Sequence, residues 1–213
     1  FTKYGYLQAQ KNWLPVSAYV KNKHIVITGA SSGLGLATAQ ALAAKGCQLT
    51  LVMRDAKKAT QVQKSLITQT GNTQIDVELA NLSVIAEVIA LSQRLKQKGK
   101  TIDVLINNAG ALFNPRQETK EGLEQSFALL LLSPFILTEQ LKPLLIIGSR
   151  VINVLSGGMY SQNIDVRDLE NKRGSYSGSV AYAKAKRGLM ITTEQWAHDW
   201  QHEGICVHAM HPG

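Results

Sequence analysis

The sequence predicts a single α/β domain, a doubly wound parallel sheet with helices on both faces. Three observations predict it. Short apolar segments alternate with longer amphipathic ones along most of the chain. Gly46, Gly71, Gly99, Gly148 and Gly204 stand where left-handed residues would end helices. A glycine-rich turn joins the first apolar segment to the first long helix.

In order, the strands are read at 24–28, 48–53, 74–78, 102–107, 151–155 and 205–209, each rich in Val, Ile or Leu. Helices are read at 34–45, 56–70, 84–98, 121–147 and 180–201. Strands joined through helices run parallel, because a parallel pair needs a long crossover, and the crossovers are right-handed. Residues 1–22, with Trp13, Pro15 and Tyr19, form an N-terminal arm or a packed extra helix ahead of the domain at 23–213.

The chain has 213 residues, 45% hydrophobic and 18% charged, enough for one soluble domain with a full core. Its formal charge of +8 suits an anionic ligand, a nucleic acid or an acidic membrane surface. The Lys and Arg residues are scattered, apart from groups such as 96–100, with no basic stripe interleaved with aromatics. A nucleic-acid partner is therefore not expected. Two cysteines, Cys47 and Cys206, argue against a disulfide framework and for a reducing, cytoplasmic setting, in which the sequon at Asn81 is incidental. The apolar run 127–137 is broken by Ser133 and Pro134 and falls short of the roughly 18 residues of a membrane span, so it is read as a buried helix.

The first strand runs into Thr28-Gly29-Ala30-Ser31-Ser32-Gly33-Leu34-Gly35, and a helix follows at once. Glycines let the backbone turn sharply and approach a pyrophosphate, while the helix N-terminus offers free N–H donors and a positive dipole. Further along, Asn107-Asn108-Ala109-Gly110 closes the fourth strand, Ser156 follows the fifth, and Pro212-Gly213 follows the sixth. Tyr182 and Lys186 are four apart on a helix, so they share a face.

These motifs, in this order and each at a strand end, resemble the short-chain dehydrogenase/reductase family. Leu155 to Met159, the long spacer to Tyr182, and Trp196 resemble its member-12 dehydrogenase/reductase subgroup, with the retinol-dehydrogenase-like group next. The resemblance implies a Rossmann-like fold with its ligand at the carboxyl ends of the strands. It also implies NAD(P)-dependent hydride transfer between nicotinamide and a carbonyl or alcohol, a small-molecule substrate. Ser156, Tyr182 and Lys186 are then the catalytic residues. Cofactor contacts fall to Thr28, Gly29, Ser31, Ser32, Gly33, Leu34, Gly35, Arg54, Asn81, Leu82, Asn108, Ala109, Gly110, Tyr182, Lys186, Pro212 and Gly213. Family members continue beyond this point with another strand and substrate-covering loops, so the C-terminal end is read as missing. A targeting segment ahead of Phe1 stays open.

An NAD-selective site places a carboxylate at the tip of the second strand. Here that position is Met53, followed by Arg54, which can pair with a 2′-phosphate. One charge-assisted hydrogen bond contributes about 1.5–3 kcal/mol, a roughly ten- to hundredfold preference. NADP(H) is therefore favoured. NAD(H) stays open, because Asp55 either caps the next helix or turns inward.

A free tyrosine is a poor base at neutral pH, and an ammonium from Lys186 would favour its phenolate. Tyr-x-x-x-Lys alone is weak: six tyrosines and many lysines give about half a match by chance, and Tyr19–Lys23 is a second instance. Ser156 and the Pro212-Gly213 turn single out Tyr182. Two departures from the family stand out. Leu130 occupies the position of an asparagine that helps hold a water for proton relay, and Asn81 replaces an aspartate near the adenine.

Leu112, Phe113 and Met159 point to a hydrophobic substrate. The Leu-rich segment after Phe127 admits a homo-oligomer, though core burial explains the same leucines. His198, His202, Cys206, His208 and His211 cluster near the end, but the sheet sets their facing and no carboxylate completes a metalloprotease pattern, so no metal site is assigned. A protein that binds a dinucleotide as a sensor or partner subunit, with weak or no catalysis, is the competing reading.

Overall fold

The computed structural model describes residues 3–11 and 20–212; Trp13, Pro15, Tyr19 and Gly213 lie outside them. A short helix α1 (Lys3–Gln10) comes first, with Tyr4 exposed. Then β1 (His24–Thr28), α2 (Gly33–Ala43), β2 (Gln48–Met53), α3 (Ala56–Thr70), β3 (Ile75–Leu79), α4 (Ile85–Lys98) and β4 (Ile102–Asn107) alternate. A broken helical stretch follows: α5 (Gln125–Phe127), a π-turn (Ala128–Leu132) and α6 (Ser133–Leu141). The rest is β5 (Leu145–Val154), α7 (Gly178–Trp200) and β6 (Cys206–Met210).

The strands form one parallel sheet in the order β3-β2-β1-β4-β5-β6. The order reverses between β1 and β4, and at such a switch point a crevice opens above the strand ends. Strand side chains alternate between faces. Ile25 and Ile27 of β1 join Leu49, Leu51, Ala39 and Leu66 on one side. Val26 joins Leu105, Leu137, Leu189 and Trp196 on the other. Gly35, Ala39 and Ala43 are the buried residues of α2, and side chains this small let the helix lie close on the sheet.

The expected helix 121–147 is the main difference. It stops at Leu141, and a 3-10 turn (Lys142–Leu144) leads directly into β5. Pro143 lacks an N–H and cannot continue the helix, so the apolar residues 145–147, which fit either helix or strand, fall to the strand. Gly148 is not a helix stop. At φ +87 it sits in a bulge of β5, where the register with β4 jumps from Ile102↔Leu145 to Val104↔Arg150. The Ser149 hydroxyl closes that bulge by donating to Ile102 O (2.7 Å) and accepting from Ile146 N (2.9 Å). Gly71 and Gly99 do cap helices in the left-handed conformation.

The stretch Gln125–Leu144 is long and apolar enough, by composition, to cross a membrane. It is a core element here: Leu130, Leu137 and Leu141 are buried within the chain itself, which also accounts for the leucines that admitted an oligomer.

Candidate active site

At the switch point lies a cleft of 660 Å³, within the range of small-molecule and cofactor sites. Its walls include Gly29, Ser31, Ser32, Gly33, Leu34 and Gly35 at one end, Arg54, Asn81 and Leu82 along one side, and Asn108, Ala109 and Gly110 on the floor. Tyr182, Lys186 and Pro212 complete it.

The glycine turn is shaped by contacts that exclude larger residues. Gly29 (φ +70) lies so close to β4 that a Cβ would fall 2.8 Å from Ala109 Cα. At Gly35 a Cβ would fall 2.4 Å from Gly29 O and 2.5 Å from Asn108 Nδ2. Gly33 (φ +55) has open space where its Cβ would be. Ser32, the residue before α2, makes no side-chain cap, so the first N–H groups of the helix face the cleft wall uncapped. Uncapped helix N–H groups beside a backbone with no side chain in the way fit an anionic phosphate.

Thr28 has a different place from the one expected. It is buried, and its hydroxyl donates to Ile106 O (3.3 Å) while accepting from Asn108 N and Ala109 N (both 3.0 Å). Asn108 Nδ2 donates to Thr28 O (2.9 Å) and Gly29 O (3.3 Å). Together these bonds fasten the glycine turn to the end of β4, so Thr28 shapes the cleft from behind its wall.

At the tip of β2, Met53 and Arg54 line the cleft, while Asp55 caps α3 by accepting from Lys58 N (2.9 Å). Asp55 is therefore spent on the helix and does not turn inward. Asn81 uses its Oδ1 to accept from Ser83 N (3.1 Å), and its own N–H goes to Glu87 (2.7 Å).

Ser156, at the start of the turn after β5, accepts from Gly158 N (3.2 Å), and its hydroxyl lies near the phenol of Tyr182. Burial pushes the Tyr182 phenol above its usual range, and the nearby Ser156 hydroxyl opposes that. Lys186 is buried, and burial pulls it down to about 8. Its Nζ lies 5.8 Å from the centre of the Tyr182 ring and donates to Val154 O (2.6 Å). Desolvation therefore sets the direction for the phenol here, while the Lys186 ammonium is turned toward a carbonyl.

Leu130 falls in the π-turn and lines a small space together with Lys186. It is buried, and a Cβ on Gly110 would fall 3.3 Å from Leu130 Cδ2 and 3.9 Å from Lys186 Nζ. A π-turn inserts a residue into a helix and often marks a functional site. Met159, expected near substrate, is packed in the core instead, whereas Leu112 is exposed on the cleft wall.

Some contributors carried no sequence signal. The Val154 carbonyl is backbone, so no residue type announces it. Glu124, fully buried, accepts from Ser126 N and Phe127 N (both 2.8 Å) at the start of α5 and from Tyr176 OH (2.9 Å). Tyr176 OH also reaches Phe113 O (3.3 Å), so one carboxylate gathers the two loops beside the cleft. A capping acid just before a helical run is a legible signal for half of that role.

A family model described as short chain dehydrogenase matches residues 23–213. The chain belongs to the short-chain dehydrogenase/reductase family. Short-chain dehydrogenases and reductases are NAD(P)-using oxidoreductases of alcohol and carbonyl groups, and this chain is one of them. It is 37% identical over 217 residues to the dehydrogenase/reductase SDR family member 12 of Bos taurus, covering 100% of this chain and 68% of that one. To the retinol dehydrogenase 13 of Mus musculus it is 30% identical over 201 residues, 93% of this chain and 60% of that one. Among solved short-chain dehydrogenase/reductase folds, the RhlG/NADP active-site complex of Pseudomonas aeruginosa superimposes with a TM-score of 0.72 at 27% identity, covering 91% of this chain and 73% of that one.

Proposed function

We propose that this chain is an NADP(H)-dependent oxidoreductase of a hydrophobic carbonyl or alcohol, with Tyr182 as its acid–base. The observation that carries the reading is Tyr182 and Lys186 side by side on the lining of a cleft that begins at the uncapped start of α2, with the Ser156 hydroxyl near the Tyr182 phenol. Nicotinamide, when bound, supplies the hydride in reduction and takes it in oxidation. The chain's own groups do the rest. Ser156 donates a hydrogen bond to the substrate oxygen and sets it beside the Tyr182 hydroxyl. A phenol raised by burial is protonated at neutral pH, ready to give its proton to that oxygen as negative charge develops. Lys186, as an ammonium, then offsets the charge left on Tyr182.

The NADP(H) preference is supported by an exposed Arg54 on the cleft wall and by an Asp55 committed to its helix, and by NADP in the RhlG complex. An apolar Leu112 on the wall and the resemblance to a retinol dehydrogenase support a hydrophobic substrate. Cys47 and Cys206 as free thiols support a reducing, cytoplasmic setting.

Leu130 favours a second reading, a dinucleotide-binding sensor or partner subunit with little turnover. An assay of NADPH oxidation across a panel of ketones and aldehydes, with Tyr182→Phe as control, separates the two. Turnover lost in the variant with NADPH binding kept supports the enzyme. Tight NADPH binding without turnover on any carbonyl in the panel supports the second reading.

A further inference from the structure

The segment between β4 and α5 ends in a tight hairpin. Gln125 N donates to Gln117 O (3.0 Å) and Thr119 N to Leu123 O (2.8 Å), so residues 117–119 run antiparallel to 123–125. The tip turns at Gly122 (φ +76), and the Thr119 hydroxyl accepts from Glu121 N (3.2 Å) and Leu123 N (3.3 Å). So dense a set of bonds makes the hairpin a short strut with two ends. At its base stands Glu124, which holds the start of α5 and, through Tyr176, reaches the Phe113 carbonyl. The Glu124 N–H goes to Glu170 Oε2 (3.1 Å).

At the tip stands Glu121. Its carboxylate accepts from Ile85 N (2.6 Å) and Ala86 N (2.9 Å) in the first turn of α4, where Val84 has no side chain able to cap. A carboxylate there satisfies orphan N–H groups and meets the positive end of the helix dipole. One residue further, Glu87 accepts from Asn81 N (2.7 Å), and Val84 N closes a turn on Asn81 O (2.9 Å). Asn81, Leu82 and Ser83 are cleft wall. That wall hangs from the first turn of α4, and Glu121 holds the turn from outside.

We propose that Glu121 is a positioning residue: it sets the wall at 81–83 for the adenine half of the dinucleotide and ties that wall to the loops at Phe113 and Tyr176. Cofactor bound at one end of the cleft then stiffens the loops beside the other. Glu121 is not part of the cleft lining, so it acts through the wall alone. When a wall is in place in only a fraction of molecules, apparent affinity falls by that fraction. The ligand in this proposal rests on the cofactor reading above; the clasp rests on the hydrogen bonds.

Amide hydrogen exchange of the protein without ligand tests the clasp first. Glu121→Ala removes one helix cap, which leaves the domain folded and should speed exchange of the Asn81 and Val84 amides roughly five- to tenfold. The variant touches neither of their hydrogen bonds, so unchanged exchange there would overturn the proposal. Binding is then read with NADPH and with reduced nicotinamide mononucleotide, which lacks the adenine half. Glu121→Ala should weaken NADPH roughly five- to tenfold and leave the mononucleotide unchanged, with Glu121→Gln, which keeps one acceptor oxygen, in between. Equal weakening of both ligands would mark a general loosening and overturn the positioning role. NADPH should also slow exchange of the Glu124 amide in the parent and not in Glu121→Ala; equal protection in both would overturn the tie between the two ends. A parent that bound no NADPH would sink the cofactor reading, while exchange at Asn81 and Val84 would still decide the clasp.

Discussion

Gly33 and Gly35, two residues apart in the turn, make a paired test of how the cradle is built. Gly33→Ala places a methyl in open space, so its cost is conformational: φ +55 in a residue with a Cβ costs roughly 1–2 kcal/mol. For a domain of this size each kcal/mol lowers Tm by about 2–4 °C, so the variant should melt only a few degrees below the parent. Its larger effect should be on NADPH, since the methyl stands in the cleft beside the helix N–H groups. Loss of one charge-assisted bond, about 1.5–3 kcal/mol, weakens binding roughly ten- to hundredfold. Gly35→Ala drives a Cβ to 2.4 Å from Gly29 O and 2.5 Å from Asn108 Nδ2. Asn108 can withdraw only by giving up its bonds to Thr28 O and Gly29 O. Overpacking and two lost hydrogen bonds together cost on the order of 3–5 kcal/mol. Thermal denaturation with and without NADPH, and calorimetric titration, read both effects. A Gly35→Ala protein as stable as Gly33→Ala, or a Gly33→Ala protein binding NADPH like the parent, would refute the reasoning.

Further outcomes follow from the same site. Tyr182→Phe should keep NADPH affinity, measured by fluorescence titration, and lose about 10²–10⁴-fold in turnover. Arg54→Ala should weaken NADPH roughly ten- to hundredfold and leave NADH nearly unchanged; equal losses would remove the 2′-phosphate assignment. Leu130→Asn puts an amide beside Lys186 and should raise turnover, so an unchanged rate would mean that position is not limiting. Burial holds Lys186 at about 8 against an ordinary 10.5, so between those values the unfolded chain keeps a proton the folded one has released. Stability must therefore rise with pH across that window. Measured by urea denaturation, the parent should gain on the order of 3 kcal/mol relative to Lys186→Met between those two pH values, and a flat difference would contradict the burial of the ammonium.

Much of the fold was legible because its signals are local. Strand β1, strand β2, helix α3 and strand β4 begin and end where the apolar pattern and glycine stops put them. The boundary at 141–148 was not, since Leu145, Ile146 and Ile147 are equally apolar in helix and strand, and only pairing with Ile102 chooses between them. Helix α4 shows the same limit. No capping side chain stands before it, and its first N–H groups are bonded instead by Glu121, from a loop beyond β4, at 2.6 and 2.9 Å. The site divides likewise. Gly29, Gly33, Gly35, Ser156, Tyr182 and Lys186 are recognised by type and spacing, whereas the bracing at Glu124 and Tyr176 joins residues far apart in the chain.

Residue order alone determined the alternation of strands and helices, the glycine turn and the four-residue step from Tyr182 to Lys186, because each depends on neighbours within a turn or two of backbone. The packed molecule decided which polar groups are left to react. It consumed Thr28 and Asp55 in structural bonds, turned Lys186 toward a carbonyl, and left Asn107 Oδ1 facing no protein donor among the described residues. The physical reason is that burial and hydrogen-bond saturation belong to the whole assembly of elements, and no segment carries them before the sheet closes over it.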